Sequence, residues 1–305
     1  MPDIAIWNKC NNHCVMCTNP LSFQLDDSTP YSFEYITERW KNKNLKPNDV
    51  LCLTGGEPTM HPDFLKLLNW FRVNFPLFPI AIASNGRLFS YHNFAKRVLK
   101  INNLILEIAI HGYNEQTHDR VTRTKGSFNQ TIKGLHNILK YKNNTQEIEI
   151  RIIITKLTYK YIDKILHFLQ KEFPIKDIRD IAIIFEEMEG QAKDNFKEVG
   201  ISYSKVKNYI IKALEDPIVM NFNEIRLYHF PLCVLPSKFW PYIWRTLRGE
   251  EITYVSQCDK CVVKKYCLGI HRDYIALIGK KEFKPIKNIK IKTNKNFYHP
   301  IGGVK

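Results

Sequence analysis

Seven of the eight cysteines fall into two groups whose spacing suits metal binding. The first is Cys10, Cys14 and Cys17, a Cys-x3-Cys-x2-Cys loop near the start of the chain. Three thiolates from one tight loop can ligate three irons of a [4Fe–4S] cube and leave the fourth iron open to another ligand. The rival is half a zinc site, but zinc wants four ligands, and His13 within the loop would strain a shared tetrahedron. The second group is Cys233, Cys258, Cys261 and Cys267, spaced Cys-x24-Cys-x2-Cys-x5-Cys. Four soft ligands make a complete centre, and both zinc and a [4Fe–4S] cluster accept four thiolates. The remaining cysteine, Cys52, sits in an apolar run and reads as a buried, inert thiol.

Other residues could serve a bound cofactor. In Gly55-Gly56-Glu57-Pro58 the glycines allow close backbone approach, and a backbone carbonyl or Glu57 can accept from an ammonium group. Alone this would be an ordinary turn; following a strand behind the cysteine loop it carries more. Ser84-Asn85-Gly86 ends another apolar run, and Arg151 lies within a third. Each has a structural alternative, a turn and a buried ion pair respectively. His111 ends the run Leu104–His111 and is either a proton donor or substrate contact, or a hydrogen-bonded structural histidine. His118-Asp119 reads as a structural loop pair.

The elements that must position these residues are legible. Six short β-branched runs, Ile4–Trp7, Val50–Thr54, Ile80–Ser84, Leu104–His111, Ile148–Thr155 and Ile181–Phe185, predict strands. Between them lie helical stripes: Phe64, Leu67, Leu68 and Phe71; Ile132, Leu135, Ile138 and Leu139, behind a capping-box signature of Ser127 and Gln130; and Ile162, Ile165, Leu166 and Leu169. Alternating strands and helices predict an α/β chain built as a partial (β/α)6 barrel. In such barrels chemistry sits at the C-terminal strand ends, where most of these motifs fall. After about Asn195 the pattern changes. One more helix through Val206, Tyr209, Ile210 and Ala213 and a strand near Ile225–Tyr228 are predicted, followed by a Cys-, Pro- and aromatic-rich stretch. The expected domains are 1–197, the barrel; 198–275, a small cysteine-rich unit held by its metal centre; and 276–305, a basic tail.

The chain has 305 residues, 44% of them hydrophobic, in keeping with a globular protein. No apolar run approaches membrane-spanning length and no signal peptide is visible, so a reducing cytoplasmic setting without structural disulfides is expected. The 45 basic and 30 acidic residues give a net charge of +15, with a dense run from Lys280 to Lys295. This excess either serves an anionic partner or reflects a compositional bias toward Lys and Asn.

The cysteine loop after the first strand, with Gly-Gly-Glu-Pro ending the second, resembles the radical S-adenosylmethionine (SAM) superfamily. The resemblance implies a SAM-binding [4Fe–4S] cluster on Cys10, Cys14 and Cys17, the SAM amino group received at Gly55–Pro58, and ribose or carboxylate contacts at Ser84, Asn85 and Arg151. Cys258-x2-Cys261-x5-Cys267 resembles the core of the auxiliary-cluster domain called SPASM. Here it departs from that pattern: the next cysteine falls on His271 and later ones are missing, so one auxiliary [4Fe–4S] cluster is implied, with Cys233 as fourth ligand and His271 as the alternative. Such a cluster can accept an electron from a product radical.

A finer resemblance runs over nearly the whole chain. Tyr228–Pro236, Phe239-Trp240-Pro241 and Cys258–Gly269 are similar to the radical SAM maturases of the His-Xaa-Ser peptide system. So are Ser84–Arg87, His118-Asp119, Gly126–Thr131, Glu149–Arg151 and Met188–Ala192 with Asn195. This implies oxidative modification of a ribosomally made peptide, such as a crosslink, with a flavodoxin- or ferredoxin-type electron donor. The first strand begins by residue 4, so the N-terminal region such maturases often carry is expected to be missing. Peptide recognition then falls to a separate protein or to the basic surface. The alternatives are a radical SAM enzyme acting on a small molecule or RNA, and a non-catalytic zinc-bound nucleic-acid-binding protein.

Overall fold

The computed structural model describes residues 3–304. Eight parallel strands form one sheet in sequence order: β1 (Asp3–Trp7), β2 (Leu51–Gly55), β3 (Ile80–Ser84), β4 (Leu104–Ala109), β5 (Gln146–Ile154), β6 (Asp180–Phe185), β7 (Ile225–Tyr228) and β8 (Ile243–Trp244). Strands β1 and β8 are its edges, so the barrel stays open. The apolar runs become strands because both faces are covered. In β4, Leu104, Leu106 and Ile108 pack outward in the main core with Phe89 and Leu135, whereas Ile105 clusters with Cys52 and Ala81 on the other face.

The predicted helical stripes pack on the outside. Helix Phe64–Asn74 buries Phe64, Leu67, Leu68 and Phe71, and helix Ile162–Glu172 buries Ile162, Ile165, Leu166 and Leu169. Each such side chain contributes roughly 1.5–3 kcal/mol on leaving water. Helix Ser127–Tyr141 buries Leu135 and Ile138, with Ile132 and Leu139 half-buried. Its start differs from the expected capping box. Gly126 is the N-cap, at φ +77°, and Ser127 lies inside the first turn. The carboxylate of Asp119 accepts from Ser127 Oγ and from the Gly126 and Phe128 N–H groups, so a residue from the preceding helix does the capping.

The sheet continues past residue 197, where a boundary was expected. Helix Tyr203–Glu215 packs on helix Ile162–Glu172, and β7 pairs in parallel with β6. Ile225 and Leu227 face outward to the main core and alternate with Arg226 and Tyr228 on the other face, so this strand joins the barrel. The cysteine-rich unit that follows has short turns and two-residue strands, β9 (Ile252–Thr253) antiparallel to β10 (Ile270–His271). The stretch from 276, expected as a tail, folds back. Phe283 is buried against Tyr203 and Tyr274, and a hairpin pairs β11 (Ile291–Thr293) with β12 (Ile301–Val304). Among the described residues, no helix is long and apolar enough to cross a membrane.

Candidate functional site

The cysteine loop leaves β1 at the C-terminal end of the barrel and is gripped from four directions. From β2, the Gly56 and Glu57 N–H groups donate to the Trp7 and Lys9 carbonyls, at 2.7 and 2.9 Å, and Asn19 Nδ2 donates to the Gly55 carbonyl at 2.7 Å. From the turn after β3, Arg87 Nη1 donates to the Asn11 carbonyl and to Asn12 Oδ1, while its Nε binds Gln130. From the helix after β4, the Thr122 and Val121 carbonyls accept from His13 and Val15. From the segment after β6, the Ala192 N–H donates to the Cys17 carbonyl and Asn195 Nδ2 to the Val15 carbonyl.

The glycines explain how the chains come so close. A Cβ on Gly55 would lie 2.0 Å from the Trp7 carbonyl, and one on Gly56 2.3 Å from that of Lys9. A Cβ on Gly190 would lie 2.1 Å from the Thr18 carbonyl.

Cys10, Cys14 and Cys17 are half-buried and free of disulfides, and His13 is exposed. Cys10 Sγ accepts from the Asn12 N–H at 3.4 Å and lies 3.9 Å from Asn85 Nδ2. Burial pushes the Cys10 thiol up to about 11 and raises Cys14 and Cys17 as well. Such a set ionises only when a cation takes the protons' place, which is what an iron–sulfur core supplies. The donor set therefore fits the cluster.

The other predicted residues divide by role. Glu57 is buried, and its carboxylate is saturated by Thr59 N, Thr59 Oγ1, Ser84 Oγ and Asn85 N. Glu57 and Ser84 thus lock the end of β2 to the end of β3, and what remains for a ligand there is backbone. Pro58 opens a buried 3₁₀ turn. Asn85 stands at the cysteines, bonded through Nδ2 to Asn11 Oδ1.

Arg151 lies in β5 between two carboxylates, at 2.7 Å from Glu107 Oε1 and 2.7 Å from Glu149 Oε1. Burial opposes charge on all three. Arg151 and Arg179 hold Glu149 below the usual carboxylate range, whereas Glu107 is pushed up to about 7. Cys52 is buried with Sγ 3.6 Å from Glu107 Oε2, as expected of an inert thiol.

His111 is buried and stacks on His118 at 5.6 Å. The His111 backbone N–H donates to His118 Nδ1 at 3.1 Å, and the His111 ring Nδ1 has no hydrogen-bond partner. Burial holds both imidazoles down to about 3, so they are neutral at physiological pH.

The second group converges. Cys233, Cys258, Cys261 and Cys267 line one cleft. Backbone N–H groups of Gly269 and Ile286 donate to Cys267 and Cys261 Sγ, both at 3.4 Å, a pattern that suits ligated thiolates. His271 is not part of this lining. It follows Ile270, which is, and its Nε2 lies 3.3 Å from Glu189. Among the described residues, the three-donor group with all atoms within 4.8 Å is Glu189, His271 and Asp273, and no cysteine belongs to it. A single zinc, with Zn–S near 2.3 Å, would draw its sulfurs to within about 4 Å of one another. Among the described residues, no three of the cysteine sulfurs lie within 4.8 Å of one another as such a site would require.

The family model described as the Radical SAM superfamily matches residues 4–169. The chain belongs to the radical SAM superfamily. Members use a [4Fe–4S] cluster and SAM, and SPASM-type relatives carry auxiliary clusters. The antilisterial bacteriocin subtilosin biosynthesis protein AlbA of Bacillus subtilis is 24% identical, over 87% of this chain and 65% of that protein. The Fe-coproporphyrin III synthase of Methanosarcina barkeri is 26% identical, over 55% of this chain and 41% of that protein. The chain thus spans less than two thirds of these relatives.

SuiB of Streptococcus suis shares the fold. Bound to SAM, it has a TM-score of 0.61 at 14% identity, over 93% of this chain and 75% of that one. Bound to its precursor peptide SuiA, it has a TM-score of 0.56, also at 14% identity, over 74% of this chain and 48% of that one.

Sequence reasoning missed several contributors. Arg87 and Asn195 fell within matching motifs, but nothing local shows that they hold the cysteine loop. Asn19 gave no signal.

Proposed function

We propose that the chain cleaves SAM reductively to a 5′-deoxyadenosyl radical and uses it to modify a ribosomally made peptide oxidatively, with an iron–sulfur centre on each cysteine group. The observation that carries this reading is the pairing of a three-cysteine loop at the barrel mouth with four cysteines in one cleft. The first leaves an iron open for SAM and the second is complete. When bound, these centres supply the electron that breaks SAM and an acceptor for the electron that a substrate radical gives up. The protein's own part is to fix the loop from four sides, to present backbone at Gly55 and Gly56, and to floor the barrel with the Glu107–Arg151–Glu149 ion pairs.

The peptide reading is supported by AlbA, whose likeness spans 87% of the chain and so reaches the cysteine-rich unit. SuiB, bound to a precursor peptide, supports it through the fold. A small-molecule reading is favoured by the coproporphyrin relative, whose likeness covers 55% of the chain. An electron donor of the flavodoxin or ferredoxin type, a separate peptide-recognition protein and a cytoplasmic setting belong to the same proposal.

Anaerobic reconstitution tests it. About eight irons per chain are expected, with about four lost when Cys10, Cys14 and Cys17 are replaced. SAM and dithionite should yield 5′-deoxyadenosine. Coexpression with a short peptide encoded beside the gene should change that peptide's mass. Stoichiometric zinc without SAM cleavage would sink the reading.

A further inference from the structure

Beyond the end of β6 two half-buried carboxylates, Glu187 and Glu189, each face a buried imidazole, His229 after β7 and His271 in β10, and neither pair has a role in the reading above. His229 follows β7 with φ +68°, a left-handed conformation rare for a buried side chain of this size. Such backbone strain costs on the order of 1–3 kcal/mol and persists only where the surroundings enforce it. Here Tyr203 Oη donates to the His229 carbonyl at 2.7 Å, and His229 Nδ1 lies 2.9 Å from the Phe185 carbonyl. A carbonyl only accepts, so Nδ1 carries the hydrogen and Nε2 presents its lone pair. That lone pair faces Glu187 Oε1 at 3.4 Å.

We propose that Glu187 and His229 form a proton-accepting pair for the oxidation of a substrate at this site. The proposal rests on the radical SAM reading above. In such an oxidation a substrate C–H hydrogen atom passes to the 5′-deoxyadenosyl radical, giving 5′-deoxyadenosine. The substrate radical then bonds to a heteroatom. One electron goes to the iron–sulfur centre at the four cysteines, and the heteroatom's proton goes to the Glu187 carboxylate, where His229 Nε2 accepts its hydrogen bond.

The position suits this role. Three residues beyond Glu187 the chain enters Gly190–Asn195, which grips the first cysteine loop, and four beyond His229 it reaches Cys233. Burial pushes Glu187 up to about 7 and holds His229 down to about 4. Near neutrality the pair therefore holds at most one proton. Accepting it takes the charge from −1 to zero, the direction a buried site favours. Glu187 is faced by His271 from β10, by Glu251 from the turn before β9, by Glu189 from its own segment and by Asp3 from β1. Arg151 and Glu251 act on His229. The second pair, Glu189 with His271 Nε2 at 3.3 Å, is also held by Arg272 at 3.0 Å, so its carboxylate already has a cationic partner.

Infrared difference spectra of the reconstituted full chain between pH 5.5 and 8.5 test the pair without any substrate. A protonated-carboxyl band should vanish with a midpoint near 7. It should be missing from Glu187→Gln and should shift to lower pH in His229→Gln. A Glu187 carboxylate already ionised at pH 5.5 would overturn the proposal. A second measurement uses the synthetic peptide encoded beside the gene and reads modified peptide formed per 5′-deoxyadenosine. That ratio should fall at least tenfold in both variants, with loss of the wild-type pH dependence near 7, while deuterium still passes from labelled peptide to 5′-deoxyadenosine. A purely structural role would lower both products together and leave the ratio unchanged, which would also overturn the proposal. Wild-type protein that makes no 5′-deoxyadenosine would instead defeat the radical SAM reading and leave the infrared result to stand alone.

Discussion

The two cysteine groups are held in opposite ways. The loop carrying Cys10, Cys14 and Cys17 is bonded through its backbone to residues from β2, from the turn after β3, from the helix after β4 and from the segment after β6. The cleft around Cys233, Cys258, Cys261 and Cys267 is built from 3₁₀ turns (Leu232–Val234, Ser256–Lys260 and Lys264–Tyr266) and two-residue strands. A region with so little regular structure takes much of its stability from its ligands. On the reading proposed above, the first site is made by the fold and then receives a centre, and the second is in large part made by its centre.

The largest effects should expose that difference. Replacing Cys10, Cys14 and Cys17 by alanine should abolish SAM cleavage and remove about four irons, yet leave amide protection of the loop near its normal level. Replacing Cys233 and Cys267 should also remove about four irons, but should open residues 232–290 to proteolysis. Equal loosening of both regions would break the comparison.

Glycine substitutions come next. In Gly56→Ala the new methyl meets backbone, the Lys9 carbonyl at 2.3 Å, and neither chain can yield. A loss of about 3 kcal/mol or more is expected, read as a lower denaturation midpoint or a failure to accumulate. Gly269 lies in the cysteine-rich unit at φ +97°, and its Cβ would meet side chains rather than backbone, 3.1 Å from Ile252 Cδ1 and 3.2 Å from Ile252 Cβ. Gly269→Ala should cost about 1–2 kcal/mol, from the positive φ together with a small shift of Ile252.

The same contrast explains what the sequence made legible. Period and branching located β1 to β7 because each is a local pattern with a buried face. The cysteine groups were visible because ligand spacing is local too. The continuation of the sheet beyond residue 197 was hidden, since whether a four-residue strand pairs with a barrel or stands apart is decided by its neighbour. Glu57 and Arg151 were named for their chemical type, but sequence could not show that Glu57 is saturated by four donors or that Arg151 is held by Glu107 and Glu149. The grip of Arg87 and Asn195 on the loop joins positions 75 to 180 residues apart, and His229 gained its meaning only from φ and from Glu187.

Acid should act on the barrel through two buried histidines. His111 and His118 stay neutral in the fold down to about pH 3, whereas in the unfolded chain they protonate below about 6.5. The unfolded state therefore binds more protons in between. Their contribution is fully present above pH 6.5 and is lost as pH falls toward 3. Between pH 7 and 5.5 the two together should cost about 2 kcal/mol of stability. A denaturation series on wild type and on the His111→Gln, His118→Gln double variant should show a shallower acid limb in the variant. An identical limb would place the acid-sensitive groups elsewhere.

The smallest effect sharpens the comparison most, because two arginines do similar work on the two sides. Arg87 clasps Asn11 and Asn12 beside Cys10, and Arg245 clasps the Lys265 and Tyr266 carbonyls beside Cys267. Lysine keeps the charge but cannot fork to several acceptors at once. Arg87→Lys should weaken the loop by about 1 kcal/mol, seen as roughly fivefold faster amide exchange over residues 10–13 in the reconstituted protein. Arg245→Lys should leave exchange over residues 264–267 nearly unchanged while the centre is bound, since ligation already fixes that turn, and should accelerate it only after the iron is removed. If both variants loosen their turns equally in the loaded protein, the cleft is held by its own hydrogen bonds as firmly as the loop, and the division between a fold-made and a ligand-made site fails.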